Sequence, residues 1–564
     1  MTNELNKKRC YIVFSILLIV FLVLSFRIVN YKYVKYEDLA TMVENQYQYK
    51  ERTSELNYLL LDCNGKNLLN YSQVYYAVID PFTYLLNNRY SNEEELEALK
   101  IILKSYDPNY DLELTLNKNK NSKIKWVVDE STYNKLKKIQ GVNGFYAYKY
   151  SAIDRESSWW NVENLITNTN RIEKGELKSK SSSSIEMEIA NKTKNNEEVY
   201  NVFSKDVNGN ITKEFTTVPQ NNINVRLTLD KFLQTTIKRI LSSAPYNEFE
   251  QVGVVMVEAD TGKIKAMVQK DDSKPNVNIG ASTQNGFFAG SIFKVIVEEA
   301  GIETNTISLN KLYEYENFGG LFEEHEDKEN KNIKEAFIKS SNNVFVQAGE
   351  DVGIKNINKI SEKHGLYEKV LNFDAEENGN LELDLRGTAD DSGDSRQAYI
   401  GQKTRITPLE AISIPNTVVN NGVYVKPYII EAYVDNNNNS IEKFTTKESK
   451  IISESTANVL KKQMIQVVTH KEGTGKNTFI DNIEVGGKTG TSNRIEIVAD
   501  EINKNIKHND YYDGWFAGFF KVNDKYYSMV VFVQDIGKDI NASGSAVPIF
   551  REVVEESYDY LNKF

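Results

Sequence analysis

The chain has 564 residues, of which 40% are hydrophobic and 26% charged, so it is long enough for two or more domains with ample cores. Its net charge of −11 argues against nucleic-acid binding, which needs clustered Lys and Arg. Two cysteines and four scattered histidines indicate neither a disulfide framework nor a metal site.

An apolar segment near the N-terminus contains no charge. It reads "CYIVFSILLIVFLVLSF" over 10–26 and follows the basic tripeptide at 7–9. Its length is at the short end of a membrane span. A cleaved signal peptide is the alternative, but no small-x-small cleavage site follows. We therefore expect a cytoplasmic tail over 1–9 and an uncleaved anchor over 10–28. Positive charges flank both sides almost equally, so the orientation rests on the shortness of the tail.

Residues 29–224 are polar, show little periodicity and do not gather reactive side chains. The pattern predicts a pedestal domain between the anchor and the rest of the chain. Its predicted elements are strands at 74–80 and 145–150, a helix over 91–106 capped by Ser91, and a flexible loop, "KSKSSSS", at 178–184.

Regular elements become frequent from residue 225, where a single domain to residue 564 is predicted. Their order indicates an α+β fold, an antiparallel sheet with terminal helices on one face and a helical insertion over 291–480. The elements are a short strand, a helix with Asp230 as its N-cap, two strands over 251–268, three strands near the C-terminus, and a helix from 548 towards 561.

The spacing S-x-x-K occurs four times, at Ser122, Ser291, Ser308 and Ser440. Three of these fit a solvated surface. Ser291 differs because "FFAGS" precedes it and the apolar "IFKVIVEEAG" follows it. A helix that starts there places Ser291 and Lys294 on one face, one turn apart. Burial of Lys294 would favour its neutral amine, which can accept the serine proton.

A lysine and two hydroxyls surround a glycine in "GGKTGTS" at 486–492. A phosphate-binding loop is the main alternative, but that motif needs glycine at 482, where the chain has asparagine. The segment fits a strand along which glycines allow close approach of a ligand. Lys488, Thr489 and Thr491 would then form a seat for a carboxylate.

A third element, "KSSNNVF" at 339–345, supplies a hydroxyl and an amide two residues apart. Such a pair can relay a proton and hold a peptide group. In isolation, buried Ser and Asn are more often helix caps or turn residues. The doubled serine and asparagine leave the register of the pair open at this point.

S-x-x-K, S-x-N and K-T-G in this order are the signature of penicillin-binding proteins and class A β-lactamases. The chain resembles the class B penicillin-binding proteins, which are membrane-anchored D,D-transpeptidases. Cys63 replaces an arginine of the family's N-terminal signature, and Ala289 replaces its usual proline. The segments that carry the resemblance are "VRLTLD", "GVVMVEADTGKIKAM", "AGSIFK", "SSNNVF", "IGQKTRITPLEA", "NNGVYVKP", "GGKTGTS", "DGWFAGF" and "AVPIF".

The resemblance implies a transpeptidase fold, with a five-stranded antiparallel sheet and a helical subdomain, on an N-terminal pedestal similar to a dimerisation domain. It implies that the chain cross-links peptidoglycan stem peptides ending in D-Ala-D-Ala, that β-lactams inhibit it covalently, and that it needs no cofactor. A polytopic glycan polymerase is the implied partner class, and the body would lie outside the bacterial membrane.

Roles for single residues follow from the same resemblance. Ser291 would be the nucleophile and Lys294 its base, and Ser340 with Lys488 would pass a proton to the leaving amine. Asn342, Thr489, Gly490 and Thr491 would bind the substrate. A carboxypeptidase, a β-lactamase, a β-lactam sensor and a catalytically silent cell-wall scaffold are the alternatives.

Overall fold

The structure is a computed structural model that describes residues 2–33, 47–89, 91–118, 122–155, 157–318, 328–499 and 506–563. These residues divide into two compact units. The smaller unit contains residues up to 57, together with 71–153 and 197–220. The larger unit contains 58–70, 154–196 and everything from 221 onward. The predicted pedestal over 29–224 is therefore shared between the two units.

Helices and strands are both abundant. The helices are α1 (Thr2–Tyr33), α2 (Pro81–Asn87), α3 (Glu93–Tyr106), α4 (Leu112–Lys118), α5 (Glu130–Leu136), α6 (Val162–Thr167), α7 (Ile185–Thr193), α8 (Lys231–Leu241), α9 (Lys294–Glu303), α10 (Ile333–Lys339), α11 (Asn342–Val352), α12 (Ile354–Lys363), α13 (Gly393–Tyr399), α14 (Pro408–Ala411), α15 (Ser413–Val419), α16 (Glu454–Thr469) and α17 (Ala546–Leu561).

The strands are β1 (Gln48–Arg52), β2 (Leu60–Leu61), β3 (Tyr71–Ile79), β4 (Ile124–Val128), β5 (Phe145–Ile153), β6 (Asn170–Glu173), β7 (Glu176–Ser179), β8 (Tyr200–Lys205), β9 (Ile211–Thr216), β10 (Asn224–Leu227), β11 (Gln251–Glu258), β12 (Lys263–Gln269), β13 (Phe287–Phe288), β14 (Leu312–Tyr313), β15 (Lys331–Asn332), β16 (Asn380–Leu381), β17 (Thr404–Ile406), β18 (Val423–Val425), β19 (Ile430–Val434), β20 (Ser440–Lys443), β21 (Glu448–Lys450), β22 (Val485–Ala499), β23 (Ile506–Val522) and β24 (Lys525–Ile536).

The larger unit is built on a five-stranded antiparallel sheet with the order β12-β11-β24-β23-β22. Its strands are rich in β-branched and aromatic residues, which favour this conformation. Helices α8 and α17 share one hydrophobic core with alternate residues of the sheet, such as Val252, Val254 and Met256. Asp230 caps α8 by accepting from the N–H of Phe232. The predicted α+β fold is confirmed.

Helix α9 lies in the helical part of the larger unit and packs against α11, α12 and α16. Apolar residues of α9 such as Val295 and Ile296 are fully buried. A helix that is covered on all sides is held rigidly, because neighbouring side chains leave it no free face. The residues at the N-terminal end of α9 are therefore held in a fixed position.

The smaller unit contains two three-stranded sheets, with the orders β4-β3-β5 and β1-β8-β9. The predicted strands at 74–80 and 145–150 correspond to β3 and β5. The predicted cap of the helix over 91–106 was wrong by one residue. Helix α3 begins at Glu93, and Asn92 accepts from the N–H of Glu94. An extended Asn caps a helix as well as Ser does, so the sequence alone did not decide between them.

The predicted flexible loop or linker at 178–184 is confirmed as a loop only over 180–184, and two of its residues are buried. Strand β7 reaches Ser179, and Ser184 lies at the N-terminus of α7. Between them, Lys180 is buried, and its Nζ lies 2.8 Å from a carboxylate oxygen of Glu186. The serine-rich composition suggested a solvated segment, but the lysine is anchored by an ion pair that composition does not reveal.

The N-terminal helix α1 includes a segment, Tyr11–Asn30, with a mean hydropathy of 2.9. Among the described residues it is the one helix that is long and apolar enough to cross a membrane. The predicted apolar span at 10–28 lies almost entirely within it.

Candidate active site

Ser291 lies in a 3-10 turn, Gly290–Phe293, that leads directly into α9. The N–H of Gly290 donates to the carbonyl of Gly401 at 3.0 Å. Gly290 has a positive φ of 53°, and a Cβ there would lie 2.6 Å from the carbonyl oxygen of Thr491. Glycine is needed for both reasons. The helix predicted to start at Ser291 thus begins as a tight turn held against β22.

Lys294 is the first residue of α9 and has no exposed surface. Its Nζ donates to the carbonyl oxygen of Ser340 at 2.6 Å and to Oδ1 of Asn342 at 2.7 Å. The hydroxyl of Ser340 lies 3.4 Å away. The ring of Phe345 lies 5.5 Å from the same nitrogen. The amine is therefore removed from water and held by the S-x-N segment.

The doubled S-S-N-N segment has distinct roles for its four residues. Ser340 follows α10 in a left-handed conformation with φ of 60°. Ser341 caps α11 through the N–H of Val344. Asn342 faces Lys294, whereas the Asn343 side chain bonds the backbone elsewhere. Ser340 and Asn342 are thus the pair that lies beside the lysine.

Lys488 of β22 is also fully buried. Its Nζ donates to the hydroxyl of Ser340 at 2.7 Å and to the carbonyl oxygen of Thr489 at 3.1 Å. Burial lowers the pKa of Lys488 well below its usual value, and the nearby charge of Lys294 lowers it further. Two lysines that are distant in the chain therefore converge on one serine.

The hydroxyls of β22 are oriented by residues outside the motifs. Thr489 donates from Oγ1 to Oγ1 of Thr474 at 2.7 Å. The Oγ1 of Thr491 accepts from the N–H of Ala542 at 3.3 Å. A Cβ on Gly490 would lie 3.1 Å from the carbonyl oxygen of Ala289, so the strand and the serine turn are closely packed.

One cavity of about 230 Å³ joins these groups. A larger cavity, of about 570 Å³, is lined by none of the predicted site residues. Lys294 and Lys488 do not line the smaller cavity themselves. Each is connected to it by a hydrogen bond to Ser340, which is a lining residue. The side chains and backbone that line the smaller cavity come from Ser291, Ser340, Asn342, Ile400, Gln402, Thr474, Thr489, Thr491, Asn541, Ala542 and Ser543.

Six of the lining residues were not identified as site residues from the sequence, among them Gln402, Thr474 and Ser543. The side-chain oxygen of Gln402 accepts a hydrogen bond from the N–H of Asn493 at 3.2 Å. Its side-chain nitrogen donates to the carbonyl oxygen of Thr491 at 3.5 Å. The hydroxyl of Ser543 donates to the carbonyl of Thr474 at 2.6 Å. Gln402 lies in a segment that resembles the family, which was the available signal. Thr474 and Ser543 lie in polar loops without a distinguishing pattern.

Among the described residues, no group of three or more His, Cys, Asp or Glu side chains is placed to hold a metal ion. The polar atoms around the cavity belong instead to amines, hydroxyls and amides. These groups suit proton transfer and the binding of a carboxylate or a peptide.

Comparison with known proteins agrees with this geometry. Residues 252–555 match the family described as the penicillin binding protein transpeptidase domain. The chain is 25% identical over 378 residues to stage V sporulation protein D of Bacillus subtilis, covering 61% of this chain and 55% of that protein. It is 23% identical over 370 residues to the peptidoglycan D,D-transpeptidase PbpA of Mycolicibacterium smegmatis, covering 57% and 71%.

A solved structure has the same fold. Penicillin binding protein 3 of Mycobacterium tuberculosis, complexed with aztreonam, superposes with a TM-score of 0.58 and 16% identity, covering 91% of this chain and 97% of that one. The chain spans only about half the length of the sporulation protein that it matches. The family match extends over more than half of the chain and includes every predicted site residue. The chain therefore belongs to the class B penicillin-binding proteins.

Proposed function

We propose that the chain is a serine-type D,D-transpeptidase, which cross-links peptidoglycan stem peptides through an acyl-enzyme. The observation that carries the proposal is the convergence of Lys294 and Lys488 on Ser340, in a cavity that Ser291 also lines. The name of the Mycolicibacterium relative, a peptidoglycan D,D-transpeptidase, supports the same reaction.

In the first step the hydroxyl oxygen of Ser291 attacks the carbonyl carbon of the terminal D-Ala-D-Ala bond. Lys294 takes the serine proton. A neutral lysine amine has two N–H donors and one lone pair. The acceptors of Ser340 and Asn342 engage the amine at 2.6 and 2.7 Å and so fix its orientation for that transfer.

The C–N bond then breaks, and the terminal D-Ala leaves as an amine. Ser340 donates the proton that this amine requires. A proton from the two lysines that contact Ser340 then replaces it. Burial and mutual repulsion favour one positive charge on the lysine pair over two. If one amine of the pair is neutral, it can act as a base while the charged amine supports Ser340.

Negative charge develops on the substrate carbonyl oxygen during attack. The N–H groups of Ser291 and Thr491 would stabilise it. The carbonyl of Thr491 approaches Gln402 and the serine turn, away from β23. In a strand the N–H and C=O of one residue point to the same side, so the N–H of Thr491 faces this side too. One such donor is worth about 2.7–4 kcal/mol.

The substrate would lie along β22. Thr491 accepts from Ala542, which leaves its own hydroxyl hydrogen for the terminal carboxylate of the stem peptide. Thr489 would have to turn its hydroxyl from Thr474 to donate to the substrate, Lys488 would add positive charge nearby, and Gly490 would allow the peptide to approach closely. Asn342 orients the donor peptide through its amide.

An amine from a neighbouring strand would take the acyl group and form the cross-link. Water as the acceptor would instead make the protein a carboxypeptidase or a β-lactamase. We propose that α1 anchors the chain in a bacterial cell membrane, with the body outside it and a polytopic glycan polymerase as a partner. A β-lactam sensor would usually have several membrane spans, and the described residues contain one candidate.

The test is labelling of the full chain, in detergent, with a fluorescent penicillin. Wild type should form a long-lived adduct that Ser291→Ala abolishes. Ser308→Ala is the matched control, because Ser308 and Lys311 repeat the same spacing outside the cavity. Rapid release of the label would indicate a β-lactamase. No adduct on a folded wild-type protein would indicate a silent scaffold.

A further inference from the structure

A second group of buried polar side chains lies along α9, beyond its catalytic end. Glu298 and Glu299 have no exposed surface, and they follow Lys294 by one turn of the helix. Gln463 of α16 and His364, just after α12, are almost fully buried beside them. The site described above uses none of these four groups.

Glu298 and Gln463 are joined by a short hydrogen bond. The amide nitrogen of Gln463 donates to one carboxyl oxygen of Glu298 at 2.6 Å. The other carboxyl oxygen of Glu298 and the amide oxygen of Gln463 are both buried and have no hydrogen-bond partner among the described residues. Two buried acceptors without a hydrogen-bond donor, on residues that are already bonded to each other, are costly if Glu298 is ionised. A proton on Glu298 would turn one of them into a donor for the other.

The surroundings of Glu298 favour the protonated form. Its bonded partner is a neutral amide, and the neighbouring carboxyl belongs to Glu299. Burial raises the pKa of Glu298 to about 8, and the charge of Glu299 adds to this effect.

The other titratable groups around this part of α9 are engaged elsewhere. Lys294 bonds Ser340 and Asn342, and His364 bonds Glu299 at 2.7 Å. Tyr313 of β14 bonds Asp351 of α11 at 3.2 Å. Helix α16 faces Glu298 with the neutral Gln463.

We propose that Glu298 is a positioning residue, whose protonated carboxyl group forms a doubly hydrogen-bonded pair with the amide of Gln463 and so fixes α9 to α16. Helix α9 carries Lys294 at its start. Helix α16 ends at Thr469 and leads to Thr474, which orients the hydroxyl of Thr489. The pair thus joins two helices that support the lining residues Ser291, just before α9, and Thr474, just after α16. Its effect on acylation rests on the proposed function.

Two bonds in one plane fix both the distance and the rotation between the helices, which a single bond does not. A glutamine at 298 would keep this geometry, because its amide can donate to Gln463 and accept from it. Glu298→Gln should therefore be tolerated, because it replaces a neutral carboxyl group with a neutral amide of the same shape.

The first test compares thermal unfolding of wild type, Glu298→Gln and Glu303→Gln, as full chains, between pH 5 and 9. A raised carboxyl pKa costs stability as pH rises from the unfolded value, about 4.5, to the folded value, about 8. The Tm of Glu298→Gln minus the Tm of wild type should increase up to about pH 8 and stay constant above it. This corresponds to about a tenfold change in the unfolding equilibrium constant for each pH unit.

Glu303 is the matched control on the same helix. It accepts from the N–H and hydroxyl of Ser453, and hydrogen bonds, chiefly from the hydroxyl of Thr456, outweigh burial to lower its pKa. Its Tm difference from wild type should stay constant over this pH range. A constant difference for Glu298→Gln as well, or failure of that variant to fold, would overturn the proposal, because both imply that the carboxyl group is ionised.

The second test measures the rate of acylation by fluorescent penicillin. Glu298→Gln should match wild type at pH 7 and exceed it at pH 9, where wild type loses the shared proton. Gln463→Met should lower the rate at both values, because it removes both bonds. Equal pH profiles for wild type and Glu298→Gln would overturn the proposal. Absence of any wild-type adduct would refute the proposed function and leave the unfolding test intact.

Discussion

The Nζ atom of Lys488 donates a hydrogen bond of 2.7 Å to the hydroxyl of Ser340. The Nζ atom of Lys294 lies 3.4 Å from the same hydroxyl. A hydroxyl that accepts from a lysine on one side can donate its own hydrogen on the other. Ser340 is therefore placed to pass a proton between the two lysines and the cavity.

Ser340→Ala should reduce acylation by about 10²-fold or more, the usual contribution of a positioned proton donor. The control is Ser341→Ala, a substitution of the adjacent serine. Ser341 caps α11, so its loss should cost about 1 kcal/mol of stability and leave acylation nearly unchanged. Stopped-flow acylation and urea unfolding separate the two effects. The reverse pattern would move the catalytic hydroxyl to Ser341.

Lys294→Ala should abolish detectable acylation while the domain stays folded. The change leaves the acceptors of Ser340 and Asn342 without their lysine donor, so a drop in Tm is expected as well. Labelling with fluorescent penicillin, alongside circular dichroism, measures both. Acylation at the wild-type rate would exclude Lys294 as the base.

Lys488 should make stability depend on pH. Because its pKa is lowered in the folded state, the unfolded chain binds the extra proton between that value and 10.5. Stability should therefore rise with pH over this window, relative to Lys488→Met. Thermal unfolding of both proteins at pH 7 and pH 9.5 measures the difference. A Tm gap that does not change with pH would contradict the lowered pKa.

Gly290→Ala should lower both stability and acylation. A side chain at this positive φ costs about 1–2 kcal/mol, and its Cβ would meet the backbone of Thr491. The serine turn must then move away from β22, and we expect acylation to fall at least about tenfold. Gly393→Ala is the control, because a Cβ at Gly393 meets no atom within 4 Å. Equal effects of the two changes on acylation rates would argue against a specific role of Gly290.

The buried pair Lys180–Glu186 should matter more than the exposed pair Lys178–Glu173. Removing one member of a buried pair strands the other charge, so Lys180→Ala should cost about 3–5 kcal/mol. Lys178→Ala removes a largely solvated contact and should cost less than about 1 kcal/mol. Urea unfolding gives both values. Similar costs would mean that Lys180 is solvated in the folded protein.

The sequence predicted those features that depend on local pattern. The apolar alternation and the turn chemistry of "QVGVVMVEADTGKIKAMV" predicted β11 and β12, and Asp230 was recognised as an N-cap. Five of the eight residues named from the three motifs line the cavity, namely Ser291, Ser340, Asn342, Thr489 and Thr491. These features are carried by spacing within a few residues, or by a resemblance that spans the domain.

Other features depend on contacts between distant segments. Thr474 gains its place from Thr489 and Ser543, which no local pattern connects to it. Charged residues are almost never fully buried without partners, so nothing in the sequence pattern indicated that Glu298 and Glu299 would lie inside the protein. Their burial follows from the covering of α9 by other helices, which the sequence did not show.

Strand β22 is the outermost strand of its sheet, and the turn that carries Ser291 packs against its free edge. Exposed edges invite pairing with other chains, and proteins often cover them. Because the turn covers this edge, we expect it to hinder pairing of β22 with a strand of another chain. Variants that displace it should form higher-order species in light scattering before they lose secondary structure. Insoluble protein in such experiments would report an uncovered edge, and not a failure of the chain to fold.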